Sequence, residues 1–341
     1  MILNKQVSWS LWTLGFIGLL FVAIVFALSK GELNIPIFKI PSILLYGKES
    51  LEYTVLNDIR LPRIYVGLSI GGALSIAGVI LQGIYRNPLV EPYTLGISGG
   101  AALGVAFTIV YGFNLTIGSF MLPVSGFIGA MATVFLVYFL SVFRKKVLTQ
   151  NMVLIGVMIS FIASSGMMFL MATASNENLH GIVFWIMGSL DETNESLIAI
   201  SAIVSISGLI ATYLFINPLN ALRLGEDKAR YLGINTDLSI KILFVIASLL
   251  TGVCVSVAGV IGFVGLIIPQ FIRILTGSDF RILLVSSFLA GGSFLVFCDT
   301  IARTIIAPNE LPIGVITGVV GGLVFIFILS RNTQKSSVNN G

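Results

Sequence analysis

Eight uncharged, apolar stretches recur along the chain, each long enough to cross a hydrocarbon layer about 30 Å thick. They run over Val7–Ser29, Ile64–Tyr85, Pro92–Phe143, Val147–Asn176, Ser196–Leu222, Ile242–Ile272, Ile282–Cys298 and Leu311–Ser330. The third is interrupted at Tyr111–Leu115, and the sixth carries Gly259, Gly262, Gly265 and Pro269, so each predicts two helices. The pattern therefore predicts an all-α, polytopic membrane protein of about ten transmembrane helices.

Charged residues make up only 10% of the chain, against about 25% in soluble domains. Within the first stretch, Val25–Ala27 resembles the small-x-small cleavage site of a signal peptide. The apolar run is too long for a signal peptide, so we interpret it as the first transmembrane helix.

Basic residues set the orientation of such a chain, because lysine and arginine concentrate in cytoplasmic loops. With the N-terminus inside, thirteen of the 19 basic residues are cytoplasmic, among them Arg86, Arg223 and Arg273. We therefore expect a multi-pass protein of the cytoplasmic membrane with both termini in the cytoplasm. The basic residues are scattered over short loops, which argues against a nucleic-acid partner.

An internal repeat is visible at an offset of 181 residues, where Ser75–Ile80 matches Ser256–Ile261 at five of six positions. Pro88 likewise meets Pro269, and Gly96 meets Gly277. We predict one transmembrane domain over residues 1–341, with a first repeat at about 60–175 and an inverted second repeat at about 238–331. Inverted repeats with broken helices are a common architecture of transport proteins.

Small residues recur at four-residue spacing, which lets helices approach closely where lipid supplies no hydrophobic drive. One such stripe is Gly314, Gly318 and Gly322. Tight packing and a path-lining helix are compatible readings of it.

Few residues carry the chemistry of an enzyme. His180 is the only histidine and lies in a predicted outer loop, so neither a metal site nor a catalytic residue is expected. Cys254 and Cys298 lie in apolar segments and are interpreted as packing residues. Asp299 and Arg303 are four residues apart on one predicted helix, which favours an ion pair over a proton relay. No phosphate-binding loop is present, so ATP, if used, is bound by another chain.

The largest cytoplasmic island is residues 217–234, NPLNALRLGEDKARYLGI. Its apolar residues recur at roughly helical spacing, and Gly225 and Gly233 punctuate it. A solvated connector is one reading; short amphipathic helices that dock on a soluble partner are the favoured one.

Three regions resemble the signatures of FecCD-type permeases. They are Arg60–Gly104 (RLPRIYVGLSIGGALSIAGVILQGIYRNPLVEPYTLGISGGAALG), Ala258–Arg281 (AGVIGFVGLIIPQFIRILTGSDFR) and Asp299–Leu329, which contains ELPIGVITG. Family members often have histidine after the proline of the second signature, where this chain has Gln270. The resemblance implies a ten-helix permease, not an enzyme, that binds no cofactor itself.

The partners implied by this resemblance are a second permease copy or paralogue, two cytoplasmic ATPase subunits that hold ATP and Mg²⁺, and an extracellular or lipid-anchored binding protein. It implies that Arg60, Arg63 and Arg303 face outward and dock the binding protein. It also implies that the ATPases contact a coupling surface at residues 224–234, formed by Leu224, Gly225, Glu226, Lys228, Ala229, Leu232 and Gly233.

The family narrows its path at the cytoplasmic mouth of the fifth helix, where Thr149, Gln150 and Asn151 stand; helix capping is an equal reading of these residues. Import of an iron–siderophore complex by alternating access is the function expected from the resemblance. Cobalamin or haem import, and ion-coupled secondary transport, are the alternatives.

Overall fold

A computed structural model describes residues 2–48, 50–118, 120–142 and 149–338, and it contains helices and no strands over these ranges. The α-helices are α1 (Ile2–Ser29), α2 (Ile40–Tyr46), α3 (Leu51–Thr54), α4 (Leu61–Tyr85), α5 (Ile97–Val110), α6 (Phe113–Ile117), α7 (Met121–Val142), α8 (Thr149–Thr173), α9 (Asn176–Met187), α10 (Glu195–Tyr213), α11 (Ile216–Leu222), α12 (Glu226–Tyr231), α13 (Thr236–Ala258), α14 (Val264–Thr276), α15 (Phe280–Thr304) and α16 (Ile313–Val338). A π-helical turn, Val55–Arg60, leads into α4, and a 3₁₀ turn, Pro92–Leu95, precedes α5.

Seven helices in the described part of the chain are long and apolar enough to cross a membrane. They include α1, α4, α7, α8, α10, α13 and α15. The short apolar helices α5 and α14, and the apolar part of α16 (Ile313–Phe327), fall on the other predicted spans, so the prediction of about ten membrane helices is confirmed. The apolar segment Ile37–Tyr46 is an additional helix that the hydropathy pattern did not predict.

Both predicted breaks are present. The third stretch breaks after α5 at Tyr111, and the sixth breaks between α13 and α14. Gly259 and Phe263 at this second junction have positive φ angles of 71° and 70°. A side chain at Gly259 would lie 2.3 Å from the carbonyl oxygen of Trp185, so glycine is required there.

Pro269 lies inside α14 and does not break it. Proline has no backbone N–H, so the carbonyl of Gly265, four residues earlier, loses its helical donor. The amide nitrogen of Gln82 donates to this carbonyl and to that of Leu266, each at 3.2 Å. A side chain of α4 therefore supplies the hydrogen bond that Pro269 cannot.

Helix α4 lies at the centre of the bundle, antiparallel to α15. Arg63, near the start of α4, meets Asp299, near the end of α15, whereas Gly83, near the end of α4, lies against Phe280 at the start of α15. In between, a Cβ at Gly71 would lie 2.3 Å from the carbonyl oxygen of Gly291. The two helices are 25 residues each, roughly 37 Å at 1.5 Å per residue, so their ends mark opposite sides of the molecule.

We expect Gly78→Ala to destabilise the protein by about 1–3 kcal/mol, the cost of overpacking a close contact. The added Cβ would lie 1.9 Å from the carbonyl oxygen of Gly265, where the backbones of α4 and α14 cross. Thermal unfolding in detergent measures the change. Gly15→Ala on α1 is the matched control, since no heavy atom lies within 4 Å of its Cβ; an equal loss in both variants would contradict the packing argument.

The proposed repeats can be compared with the helix order. The first repeat has a long helix, a short helix and two more long helices, which are α4, α5, α7 and α8. The second repeat has helices of the same relative lengths in the same order, which are α13, α14, α15 and α16. At an offset of 181 residues, however, the matched segments occupy different positions in their helices. Ser75–Ile80 lies in the middle of α4, whereas Ser256–Ile261 crosses the end of α13 into the junction. Two glycine-rich apolar segments can match because their compositions are similar. The two halves of the chain therefore correspond in the order of whole helices and not residue by residue. The repeat boundaries stay a prediction.

Candidate functional site

A cluster of charged side chains joins the start of α4 to the end of α15. The guanidinium of Arg63 lies 2.9 Å from a carboxylate oxygen of Asp191, 2.8 Å from one of Glu310 and 3.8 Å from one of Asp299. Arg303 Nε donates to the other Asp299 oxygen at 2.9 Å. We call these five residues the charged cluster. It connects two long helices to the segments before α10 and before α16.

Arg60 lies beside this cluster and caps α1. Its guanidinium donates to the backbone carbonyls of Leu28 and Leu33, at the end of α1 and just beyond it. A side chain on Gly31 would come within 2.7 Å of the guanidinium, so the small residue allows this approach. Arginine near a helix C-terminus satisfies carbonyls that lack helical partners.

The three predicted docking residues, Arg60, Arg63 and Arg303, lie together at one end of the molecule, but they are buried. Their exposed fractions are only 2%, 6% and 6%, because each guanidinium is held by carbonyl or carboxylate groups of the chain itself. The exposed members of the cluster are carboxylates, with Asp191 at 57% and Glu310 at 48%. A docking role for the arginines stays a prediction.

The predicted pair of Asp299 and Arg303 is confirmed, but it is only part of the cluster. Sequence analysis missed the contribution of Asp191 and Glu310, which lie 128 and 247 residues from Arg63. Glu310 belongs to the ELPIGVITG motif, which marks the residue but not its partner.

The opposite end of the molecule carries α11 and α12, which form the predicted amphipathic segment. Gly225 precedes α12 with φ of +108°, and Gly233 follows it with φ of +83°, so the predicted glycine punctuation is confirmed. Ala229 is fully buried. Leu224, Tyr231 and Leu232 are more than half exposed, which leaves apolar side chains exposed on α12 and beside both of its ends.

Helix α12 is tied to α13. Arg230 Nε donates to Thr236 Oγ1 at 2.9 Å, and the same guanidinium lies 3.1 Å from Asp237. The backbone N–H of Ile234 bonds to the carbonyl of Ala229 at 3.1 Å. Hydrogen bonds and an ion pair therefore connect α12 to the start of α13.

The far end of α13 meets the connector between α4 and α5. Glu91 accepts a hydrogen bond from the backbone N–H of Phe263 at 2.6 Å, and the Tyr93 hydroxyl accepts one from Ile261 at 3.3 Å. These contacts hold the residues with strained backbone at the start of α14. Sequence analysis missed both Glu91 and Gln82, although they lie in the first signature region.

The predicted path-lining glycines differ in environment. A Cβ at Gly314 would lie 2.3 Å from the carbonyl oxygen of Met187, so this residue is a close-packing position. Gly318 and Gly322 have no heavy atom within 4 Å of the same point, so they border open space. A path-lining role is compatible with the latter two and stays a prediction.

The predicted gate, Thr149, Gln150 and Asn151, forms the first residues of α8, and its side chains lie outside the described residues. Both cysteines are free and buried, which confirms the packing interpretation. Over the described residues, no three His, Cys, Asp or Glu side chains are grouped as metal ligands would be.

Comparison with known proteins gives one consistent result. The model of the FecCD transport family matches residues 19–331. The hemin transport system permease protein HmuU of Yersinia pestis is 33% identical over 326 residues, which cover 95% of this chain and 97% of that protein. The probable siderophore transport system permease protein YfhA of Bacillus subtilis is 34% identical over 323 residues, 94% of each chain. A solved inward-facing structure of a putative metal-chelate type ABC transporter superimposes with a TM-score of 0.82 at 30% identity, over 94% of this chain and 98% of that one.

Proposed function

The chain belongs to the FecCD transport family, and from that premise we propose that it is the permease subunit of an ATP-driven importer of iron–siderophore complexes. The protein is a multi-span membrane protein, and its relatives are ABC transporter permeases. The match over nearly the whole chain carries the proposal. The cytoplasmic membrane, with both termini inside, is the proposed location.

The exposed apolar surface of α12 supports an ATPase partner on that side. Leu224 and Leu232 are 58% and 62% exposed although α12 is charged and lies beyond the apolar spans. An apolar patch rimmed by Glu226 and Lys228 is typical of a docking surface. We propose that two ATPase subunits, which bind ATP and Mg²⁺, contact this surface in a dimer of permeases.

The contacts of α13 give a route for the mechanical step. In this proposal the closing ATPase moves α12. The hydrogen bond of Arg230 to Thr236 transmits the motion to α13. Residues just beyond the far end of α13 are hydrogen-bonded to Glu91 and Tyr93. Because α4 and α14 pack closely at glycine backbones, we propose that they tilt together. Alternating access then opens the path to each side in turn, with Gly318, Gly322 and the Thr149–Asn151 mouth as proposed borders.

The charged cluster is the proposed docking face for the binding protein. One guanidinium nitrogen of Arg303, Nη2, is buried and has no hydrogen-bond partner among the described residues. A partner carboxylate that reached it would satisfy this group, with Arg60 and Arg63 as neighbours. Docking would thus require Glu310 or Asp191 to move aside.

The relatives are named for hemin, for a siderophore and for cobalamin or vitamin B12, so they support import of a chelate of this kind without choosing among them. Haem or cobalamin import is the alternative within the family. Ion-coupled secondary transport is disfavoured because Asp299, the carboxylate within α15, is held between two arginines.

The test is uptake by proteoliposomes that contain the chain, its ATPase and its binding protein. We expect ATP-dependent accumulation of a ferric siderophore at least tenfold above vesicles without ATPase, and no such gain for haem or cobalamin. Uptake driven by a proton or sodium gradient without ATPase would refute the ABC mechanism. A preference for haem or cobalamin would refute only the substrate.

A further inference from the structure

A cavity of about 280 Å³ lies at the same end of the molecule as α12. Arg86, which follows α4, Arg223, which follows α11, and Arg273, in the last turn of α14, line it. We call it the arginine pocket. Gln82, Gln270 and Ser278 also line it, and no carboxylate does.

Two of the three guanidinium groups of the arginine pocket donate hydrogen bonds, and their acceptors are neutral. Arg273 donates to the side-chain oxygens of Gln270 at 3.2 Å and Gln82 at 3.3 Å, and Arg223 donates to the carbonyl of Ser278 at 2.5 Å. None of the three forms an ion pair within the part of the chain that the structure describes. Arg223 and Arg273 are near enough to repel each other. Without an anion, this arrangement is electrostatically unfavourable.

The nearest acidic residue in sequence does not fill this role. Asp279 follows Ser278, but its carboxylate accepts from the side chain of Asn220 at 3.4 Å and from the backbone N–H of Arg281 at 3.1 Å. It thereby caps α15 and does not line the pocket. No carboxylate in the pocket lining therefore balances the three arginines.

The surroundings of the pocket indicate the source of the anion. Phe271 and Ile274 lie on α14 beside the pocket residues Gln270 and Arg273, and they are 44% and 55% exposed. Leu89, three residues after Arg86, is 51% exposed. A basic pocket next to exposed apolar side chains suits a molecule with an anionic head and an acyl chain better than a soluble anion.

We propose that the arginine pocket binds the phosphate of an anionic phospholipid headgroup. Guanidinium groups bind phosphate through paired, charge-assisted hydrogen bonds, and three of them converge here from three helices. The acyl chains lie along Phe271 and Ile274. The lipid holds together the ends of α4, α11 and α14, and given the proposed topology it belongs to the cytoplasmic leaflet.

The test uses the full-length chain, delipidated in detergent and titrated with phosphatidylglycerol, with bound lipid counted by native mass spectrometry. We expect one tightly retained phosphatidylglycerol, and at least tenfold weaker retention in Arg86→Gln/Arg223→Gln. Both side chains are exposed, so the variant should fold. Lys241→Gln/Arg281→Gln removes two charges that do not line the pocket and should retain the lipid as the wild type does.

Three results would overturn the proposal. The first is equal retention by the wild type and the Arg86/Arg223 variant. The second is displacement of phosphatidylglycerol by an equal concentration of inorganic phosphate, which would make the site one for a free anion. The third is loss of ATPase assembly in the Arg86/Arg223 variant with lipid retention unchanged, which would assign the arginines to the ATPase.

Discussion

Replacing Asp299 with alanine is expected to destabilise the protein by about 3–5 kcal/mol, the usual cost of removing one partner of a buried ion pair. Arg303 would lose the carboxylate that its Nε contacts at 2.9 Å, and its Nη2 already has no partner among the described residues. Arg63 would keep Asp191 and Glu310 but would face a second buried cation. Thermal unfolding in detergent and the yield of folded protein measure the effect.

The Asp299→Asn variant separates the contribution of the charge of Asp299 to stability from that of its side-chain shape. The amide preserves an oxygen acceptor and the side-chain volume, so we expect a smaller loss than with alanine. Glu310→Gln removes a carboxylate that is half exposed, so it should cost about 0–1 kcal/mol. An Asp299→Ala protein as stable as the Glu310→Gln protein would show that the charged cluster does not hold α4 to α15.

Leu224→Asp/Leu232→Asp is expected to weaken assembly with the ATPase roughly 100-fold or more, since each buried apolar anchor of an interface contributes about 2 kcal/mol. Both side chains are exposed in the isolated chain, so its unfolding temperature should change little. Co-purification and a titration of permease with ATPase measure the loss. The permease should remain folded while ATP-dependent uptake disappears.

Leu115→Asp is the matched control for this prediction. Leu115 is 86% exposed and lies at the end of the molecule with Glu310, away from α12. The same apolar-to-acidic change there should leave ATPase binding intact. Full assembly of the Leu224/Leu232 variant would mean that α12 is only a connector.

The helices and their breaks follow from the sequence because uncharged length and glycine position are local properties. The Val7–Ser29 run and the break after Val110 needed no tertiary information. The charged cluster did not follow, because Arg63 finds its partners in distant segments, and an arginine at a helix start reads equally as exposed or paired. The offset of 181 residues pairs similar sequences at different helix positions, since Gly78 lies within α4 and Gly259 follows the end of α13.

The position of Glu91 shows what a sequence signature can and cannot tell. Glu91 lies inside the first signature region, which the sequence identifies. Its hydrogen bond to Phe263 joins residues 172 positions apart, so the sequence does not predict this contact. Gln82 is similar: its role follows only once Pro269 is seen to lie within α14 next to it. Both side chains form hydrogen bonds with backbone groups of another segment. Hydrophobic periodicity does not predict such contacts.

The span between Arg63 and its partners also bears on how the protein is made. During synthesis, α4 is made long before the ribosome reaches Asp299 and Glu310. When α4 enters the membrane, Arg63 therefore has no counter-ion from α15. A nascent chain stopped before α15 would contain Asp191 but neither of the other two carboxylates that lie near Arg63 in the finished protein. The ion pairs of Arg63, in the first quarter of the polypeptide, are therefore complete only after the last quarter has been synthesised.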